Sequence, residues 1–396
     1  RMTQEFRDML YLIGAEVSGK EYNPDHKLNI EGILRAAAVQ GVRTLVFPQL
    51  EKLCPNECAK YTPVFWGEVG SGIRRNAFNL KALSELKKNG IRVCLIKGIA
   101  AASAYPHPEY RISSDTDILI DEKDEAAVLN FLEGNGYSIE PRRSEKDHHT
   151  KARHPIGGLL EVHVQLYSIP TQKMILSGMK LYGEEYRIEN FDGYEVYTLG
   201  TNDSLMYLTA HYIKHLVDEG GGIRQMLDLL LYMKKYESEI DFEKYNSVLQ
   251  TLGYEKLIDV VKTAGALYWG FDFSKENEEL CEKLLTDSEK YGLFGHNSSG
   301  KNGFFSVYCE RRGGKMKNEA VQFFGGEQSR MRRLFPDAHG MVERGYKHAD
   351  NKLLYPFCCI HRLLDKSFEM IFRKKKTENS QIEKRLDMMK ELGMIK

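Results

Sequence analysis

Apolar residues recur at spacings of three and four through FRDMLYLI, IEGILRAAAVQ and VRTLVFPQLEKL, so residues 3–54 read as a run of helices. A further helix is predicted from about Asn76 to Lys88, stopped by Asn89-Gly90. The pattern then changes: IRVCLI, from Ile91 to Ile96, is a short apolar run of the kind that forms a buried strand. After Lys97-Gly98 the small residues of IAAASAY can pack closely as a helix, and Pro106 and Pro108 punctuate a loop. DTDILID passes from polar to apolar like a strand entering a core, DEAAVLNFLEGNGY is an amphipathic helix with a Gly stop, and LLEVHVQLY alternates as a strand. Helical spacing returns from about Thr201 in DSLMYLTAHYIKHLV, GIRQMLDLLLYMKKY and YEKLIDVVKTAGALYW. This order predicts an α+β fold, a small mixed-sheet core flanked by helical regions. The boundaries it suggests are a helical N-terminal subdomain at 1–75, an α/β core at 76–200, and a helical C-terminal domain at 201–396 with a Gly/Ser/Asn-rich loop at 291–314.

Composition narrows the function classes only slightly. With 396 residues, 42% of them hydrophobic, the chain can bury a sizeable core in two or three domains. Lys plus Arg equals Asp plus Glu at 56 each, so attraction to nucleic acid or anionic lipid would have to come from a local patch. No apolar run has signal-peptide or membrane-spanning character, which makes the cytoplasm the expected location; Arg1 stands ahead of Met2, the expected natural start. The seven cysteines are scattered and read as reduced thiols. Neither Cys54 with Cys58 nor Cys358 with Cys359 has the second half of a zinc pattern nearby.

The candidate chemistry begins at Asp115 and Asp117. Residues two apart on a strand share a face, so these carboxylates stand side by side while Thr116 points away. Two like charges there call for a cation, and hard oxygen ligands completed by waters and phosphates suit Mg²⁺ in phosphoryl-transfer sites. A D-x-D pair also occurs at solvated strand starts, so the pair by itself leaves both readings open. Farther on, Leu159, Glu161, His163 and Gln165 share one strand face and Leu160, Val162, Val164 and Leu166 the other.

The run LIKGIAAASAYPHPEYRISSDTDILI resembles the nucleotidyltransferase signature of the DNA polymerase β superfamily: a strand, a Gly turn into a helix, and a D-x-D strand. More closely, it is similar to an uncharacterised bacterial nucleotidyltransferase family whose members carry Lys-Gly, Arg and D-x-D in this order. The resemblance spans most of residues 30–235 and is sharpest from Leu95 to Ile120. It implies transfer of a nucleoside monophosphate from an NTP to an acceptor hydroxyl, with Asp115, Asp117 and Glu161 holding two Mg²⁺ ions, or Mn²⁺ in their place. Glu161 would serve as a ligand or as acceptor of the hydroxyl proton. Lys97, Gly98, Arg111, Ser113, Ser114 and, from the helical region, Lys214 would meet the nucleotide. His215, Arg224 and Asp228 would either line the same cleft or form an interhelical network with an Arg224–Asp228 i,i+4 pair. One departure is Gly98-Ile99, where the superfamily usually has Gly-Ser or Gly-Gly; Lys97 is offered instead.

Two function classes follow. One is an enzyme acting on a small molecule or protein, since the neutral balance weighs against a long nucleic-acid acceptor; a toxin-like enzyme nucleotidylating a cellular target would use the same chemistry. The other, motivated by the Gly98-Ile99 turn, is a non-catalytic nucleotide-binding or scaffold protein retaining the fold. The H-x₃-H spacing of His211 and His215 carries Tyr212 where a zinc protease needs its base, which excludes that activity. Gly295 to Asn302 nearly matches a phosphate loop but lacks the Mg²⁺-binding hydroxyl at its end. His148, His149 and His154 precede the Glu161 strand, near enough either to reach the cleft or to line an exposed hairpin, and are assigned no metal, and Arg373–Lys376 reads as a solvated helix end.

Overall fold

In a computed structural model of the chain, which describes residues 1–140, 149–167, 179–218, 220–293 and 375–395, the N-terminal apolar stripes close on one another as helices. These are α1 (Gln4–Ser18), α2 (Ile30–Val39), α3 (Arg43–Leu53) and the single turn α4 (Pro55–Cys58). Thr3 and Asn29 cap the first two, their side chains accepting from the Phe6 and Gly32 amides. The helix expected from Asn76 begins much earlier: α5 runs from Thr62 to Lys88, across the 75/76 boundary. Its first half was illegible because Pro63, Gly67, Gly70 and Gly72 dilute the apolar periodicity. Its second half buries Leu80, Leu83 and Leu86 against the sheet.

That sheet has seven strands: β1 (Val93–Leu95), β2 (Asp115–Ile120), β3 (Ser138–Glu140), β4 (His149–His154), β5 (Gly158–His163), β6 (Arg187–Phe191) and β7 (Tyr194–Thr198). Their order is β3-β4-β5-β2-β1-β7-β6, with β2–β5 and β1–β7 parallel and the other neighbours antiparallel. The mixed sheet is as expected, while β1 and the helix α6 (Ile99–Ala102) are shorter than their apolar runs. One face packs on α5 and α7 (Glu125–Gly134) through Ile118, Leu160, Val162, Val128 and Leu132. A buried polar tie crosses this layer: the Asn79 amide donates to the Thr116 hydroxyl (2.9 Å) and the Gly157 carbonyl (3.0 Å) and accepts from the Tyr137 hydroxyl (2.7 Å). Thr116 thus points to the helical layer, leaving Asp115 and Asp117 on the opposite face.

Five helices follow: α8 (Thr201–Asp218), α9 (Ile223–Lys235), α10 (Phe242–Leu252), α11 (Glu255–Tyr268) and α12 (Glu278–Tyr291). Everything from Arg1 to Lys301, together with Glu391–Met394, forms one unit; Asn302–Lys390 with Ile395–Lys396 forms a second, in which most of helix α13 (Lys375–Glu391) falls. From residue 294 onward the Gly/Ser/Asn-rich stretch, with Gly295–Asn302, lies outside the described residues, as do His148, Cys358, Cys359, Arg373 and the side chains of Lys375 and Lys376. Among the described residues no helix is long and apolar enough to cross a membrane.

Candidate active site

Parallel pairing of β2 with β5 sets Asp117 directly beside Glu161 and Asp115 beside Leu159. Carboxylate oxygens of Asp115, Asp117 and Glu161 consequently lie within 4.8 Å of one another. Asp115 and Glu161 line a cavity of about 220 Å³, with Asp117 buried beside them, and the cavity is also lined by Lys97 from the β1–α6 turn, Arg111 and Ser113 from the loop before β2, and residues of α8 and α9. Gly98 supplies the turn: its φ of 69° and ψ of −104° are open to glycine and strained for any residue with a Cβ. The chain can thereby reverse at the end of β1 and leave Lys97 aimed at Asp117.

Asp117 is fully buried. Its Oδ1 meets Lys97 Nζ at 3.0 Å and His163 Nε2 at 3.1 Å, while Oδ2 has no hydrogen-bond partner among the described residues. Burial pushes this carboxyl up, but Lys97 and then His163 outweigh it and hold the group well below the usual carboxylate range. Burial opposes the Lys97 charge in turn, and Asp117 and Asp115 more than restore it. Glu161 moves the other way, raised by burial and then by the charge of Asp117. Ser113 fixes the remaining carboxylate, its hydroxyl donating to Asp115 Oδ1 at 2.6 Å.

Arg111 is committed elsewhere. Its Nε and Nη2 donate to Asp228 of α9 at 3.0 and 2.6 Å, and the Tyr105 hydroxyl donates to the same carboxylate at 2.7 Å. The Arg224–Asp228 pair expected on α9 is not formed: Asp228 turns to Arg111 instead, and Arg224 Nη1 donates to the Ile112 carbonyl at 3.0 Å. A forked guanidinium meeting both oxygens of a buried carboxylate outcompetes an i,i+4 contact on the helix surface. Lys214 and His215 also line the cavity, together with Lys151. Ser114 is exposed and opens onto a neighbouring cavity rather than this one.

Besides His215, His149, His163 and His211 line the cavity. His149 of β4 pairs across from His163 of β5, and their ring nitrogens and a Glu161 oxygen form a second cluster within 4.8 Å. Burial, then His163 and Lys151, brings His149 down to about 4, so its imidazole is neutral near pH 7 and can act as an acceptor or ligand. His163 was legible from its place on the Glu161 face. His149 depended on the register of β4, which one sequence does not reveal. His154 is structural, stacked on Phe78 with its Nδ1 accepting from the Ile156 and Gly157 amides.

The donor set fits a hard divalent cation. Three carboxylates converge, and buried Asp117 Oδ2 is left over after Lys97 and His163 are satisfied, a costly arrangement without a positive partner. The imidazole-containing cluster widens the fit toward Mn²⁺ or another first-row ion. No curated protein and no solved structure matches the chain. The family model described as uncharacterised nucleotidyltransferase matches residues 26–261, more than half of the chain and the whole of the sheet and cavity described above. The chain belongs to this uncharacterised nucleotidyltransferase family.

Proposed function

We propose that the cleft transfers a nucleoside monophosphate from an NTP to an acceptor hydroxyl. The acceptor oxygen bonds to the α-phosphorus, the bond from that phosphorus to the bridging oxygen breaks, and pyrophosphate leaves with the electron pair. The convergence of Asp115, Asp117 and Glu161, set by the β2–β5 register, carries this reading. Mg²⁺ or Mn²⁺ held by these carboxylates would neutralise charge on the reacting phosphate.

The chain's own groups have separable tasks. Lys97 and His163 keep Asp117 ionised and occupy its Oδ1, so that Oδ2 would be the oxygen available to hold a cation. Ser113 fixes Asp115, and Glu161, raised by burial and by Asp117, is placed to take the hydroxyl proton. The Arg111–Asp228 clamp holds the loop before β2 against α9, and Lys151 and Lys214 supply the cationic wall for the triphosphate. In this scheme the sheet and the loop before β2 carry the chemistry, and α8 and α9 close the cleft over them. The balanced charge of the chain favours a small molecule or protein in that role.

Calorimetric titration with each NTP in Mg²⁺ tests the reading beside an Asp115→Asn/Asp117→Asn double variant. Mg²⁺-dependent binding that the variant loses supports it. Folded wild-type protein that binds no NTP would overturn it in favour of a non-catalytic scaffold.

A further inference from the structure

A second cavity of about 440 Å³ adjoins the carboxylate cleft, and Ser113 and Arg224 line both. Its size is that of a small-molecule site. The charged side chains on its wall are Arg43, Arg75, Arg224 and Glu68. Glu68 is consumed by Arg43, which it meets through both carboxylate oxygens. Two guanidiniums therefore remain without a carboxylate of their own on this wall.

Arg75 makes no hydrogen bond or ion pair among the described residues, and its Nε is buried without an acceptor. Arg224 spends Nη1 on the Ile112 carbonyl, and its Nε is likewise buried and unmatched. Burial disfavours the charge of Arg75 more than nearby Asp115 restores it, and burial followed by Arg111 disfavours that of Arg224 more than Asp228 and Asp115 restore it. Arginine does not shed its proton, so each is a standing cost that an anion would relieve. The position of Arg75 is built in: its stem crosses Gly158 at the start of β5, where a Cβ would fall 2.8 Å from Arg75 Cδ and φ is +67°. The same strand carries Glu161 three residues farther along, on the wall of the neighbouring cleft.

We propose that this second cavity is the acceptor subsite and takes a small anionic acceptor, its phosphate or carboxylate bound by Arg75 and Arg224 while its hydroxyl reaches past Ser113 to the carboxylates. The assignment as an acceptor site rests on the nucleotidyl-transfer reading of the cleft; the anion site itself does not.

Inorganic phosphate is the probe, titrated calorimetrically into the full chain alone and again with the cleft saturated by Mg²⁺ and a non-hydrolysable NTP. Phosphate should bind in both conditions. Arg75→Gln should weaken it about tenfold or more while changing NTP affinity less than about twofold, the scale expected from losing one charge-assisted contact. Arg75→Lys, which keeps the charge and loses the fork, should fall between the two and guards against misfolding of the Gln variant. Displacement of phosphate by the NTP, or an equal loss of NTP affinity in Arg75→Gln, would assign the cavity to the triphosphate and overturn the proposal. Phosphate binding indifferent to Arg75 would overturn it too. If phosphate binds through Arg75 but no NTP binds at all, the anion site stands and the nucleotidyl-transfer reading is what fails.

Discussion

Removing Asp228 should cost more stability than any other single truncation around the cleft. Its carboxylate accepts three hydrogen bonds, two from Arg111 and one from Tyr105, with the Arg111 and Asp228 side chains only 5% and 6% exposed. Asp228→Ala leaves Arg111 charged, buried and uncompensated, and breaking such a pair from one side costs about 3–5 kcal/mol. The orphaned Tyr105 hydroxyl adds to this, so about 4 kcal/mol or more is expected against a total stability on the order of 5–15 kcal/mol. Replacing both charges by apolar groups, Arg111→Met with Asp228→Leu, should recover most of the loss, because desolvating the pair offsets much of its attraction. Equilibrium urea unfolding, followed by the fluorescence of fully buried Trp269 in a Trp66→Phe background, reads each variant and the double-mutant cycle. A change below about 1 kcal/mol for Asp228→Ala, or a double variant worse than the single, would refute the clamp.

Three further outcomes follow from the same geometry. In metal-free buffer the Asp117 carboxyl, depressed by Lys97 and His163 against its burial, adds stability that is present above about pH 4 and is lost as pH falls below it; the gap between wild type and Lys97→Met should therefore narrow from pH 6 to pH 3, and a gap independent of pH would contradict the pairing. Glu161 is raised, so its ionisation works against folding as pH rises: Glu161→Gln should be more stable than wild type above about pH 5 in EDTA, yet gain less thermal stability than wild type when Mn²⁺ is added, as differential scanning fluorimetry would show. Asn79→Ala strands the Thr116, Tyr137 and Gly157 partners and should cost about 2–4 kcal/mol in urea unfolding, with little loss if the tie is solvent-compensated.

How much of this was legible in the sequence varied with the kind of information required. Asp115, Asp117 and Glu161 could be read because strand alternation is local and the run from Leu95 to Ile120 resembles a known signature. The helices with unbroken apolar stripes, α1 to α3, α8, α9 and α11, were likewise visible. The β6–β7 hairpin went unread although Asp192-Gly193 turns it, at φ values of 51° and 86°; FDGYEVY carries the turn signal, but its strands are half exposed and only weakly apolar. The partners of Arg111 and Arg224 were beyond reach because they depend on how α9 packs against the loop before β2, a contact across more than 100 residues. For His149 the sequence left the cleft and an exposed hairpin both open for the same reason: its place beside His163 is a matter of register, and the sequence around it has no periodic apolar face.

The most direct test of the carboxylate site is a crystal structure with Mn²⁺ and a non-hydrolysable NTP, using the anomalous signal of the metal. The cleft described above requires a Mn²⁺ peak bonded to carboxylate oxygens of both Asp115 and Asp117, at about 2.0–2.2 Å, with an α-phosphate oxygen in the same coordination sphere. A peak held only by His149, Glu161 and His163 with the aspartates unengaged, or nucleotide bound away from β2, would contradict it.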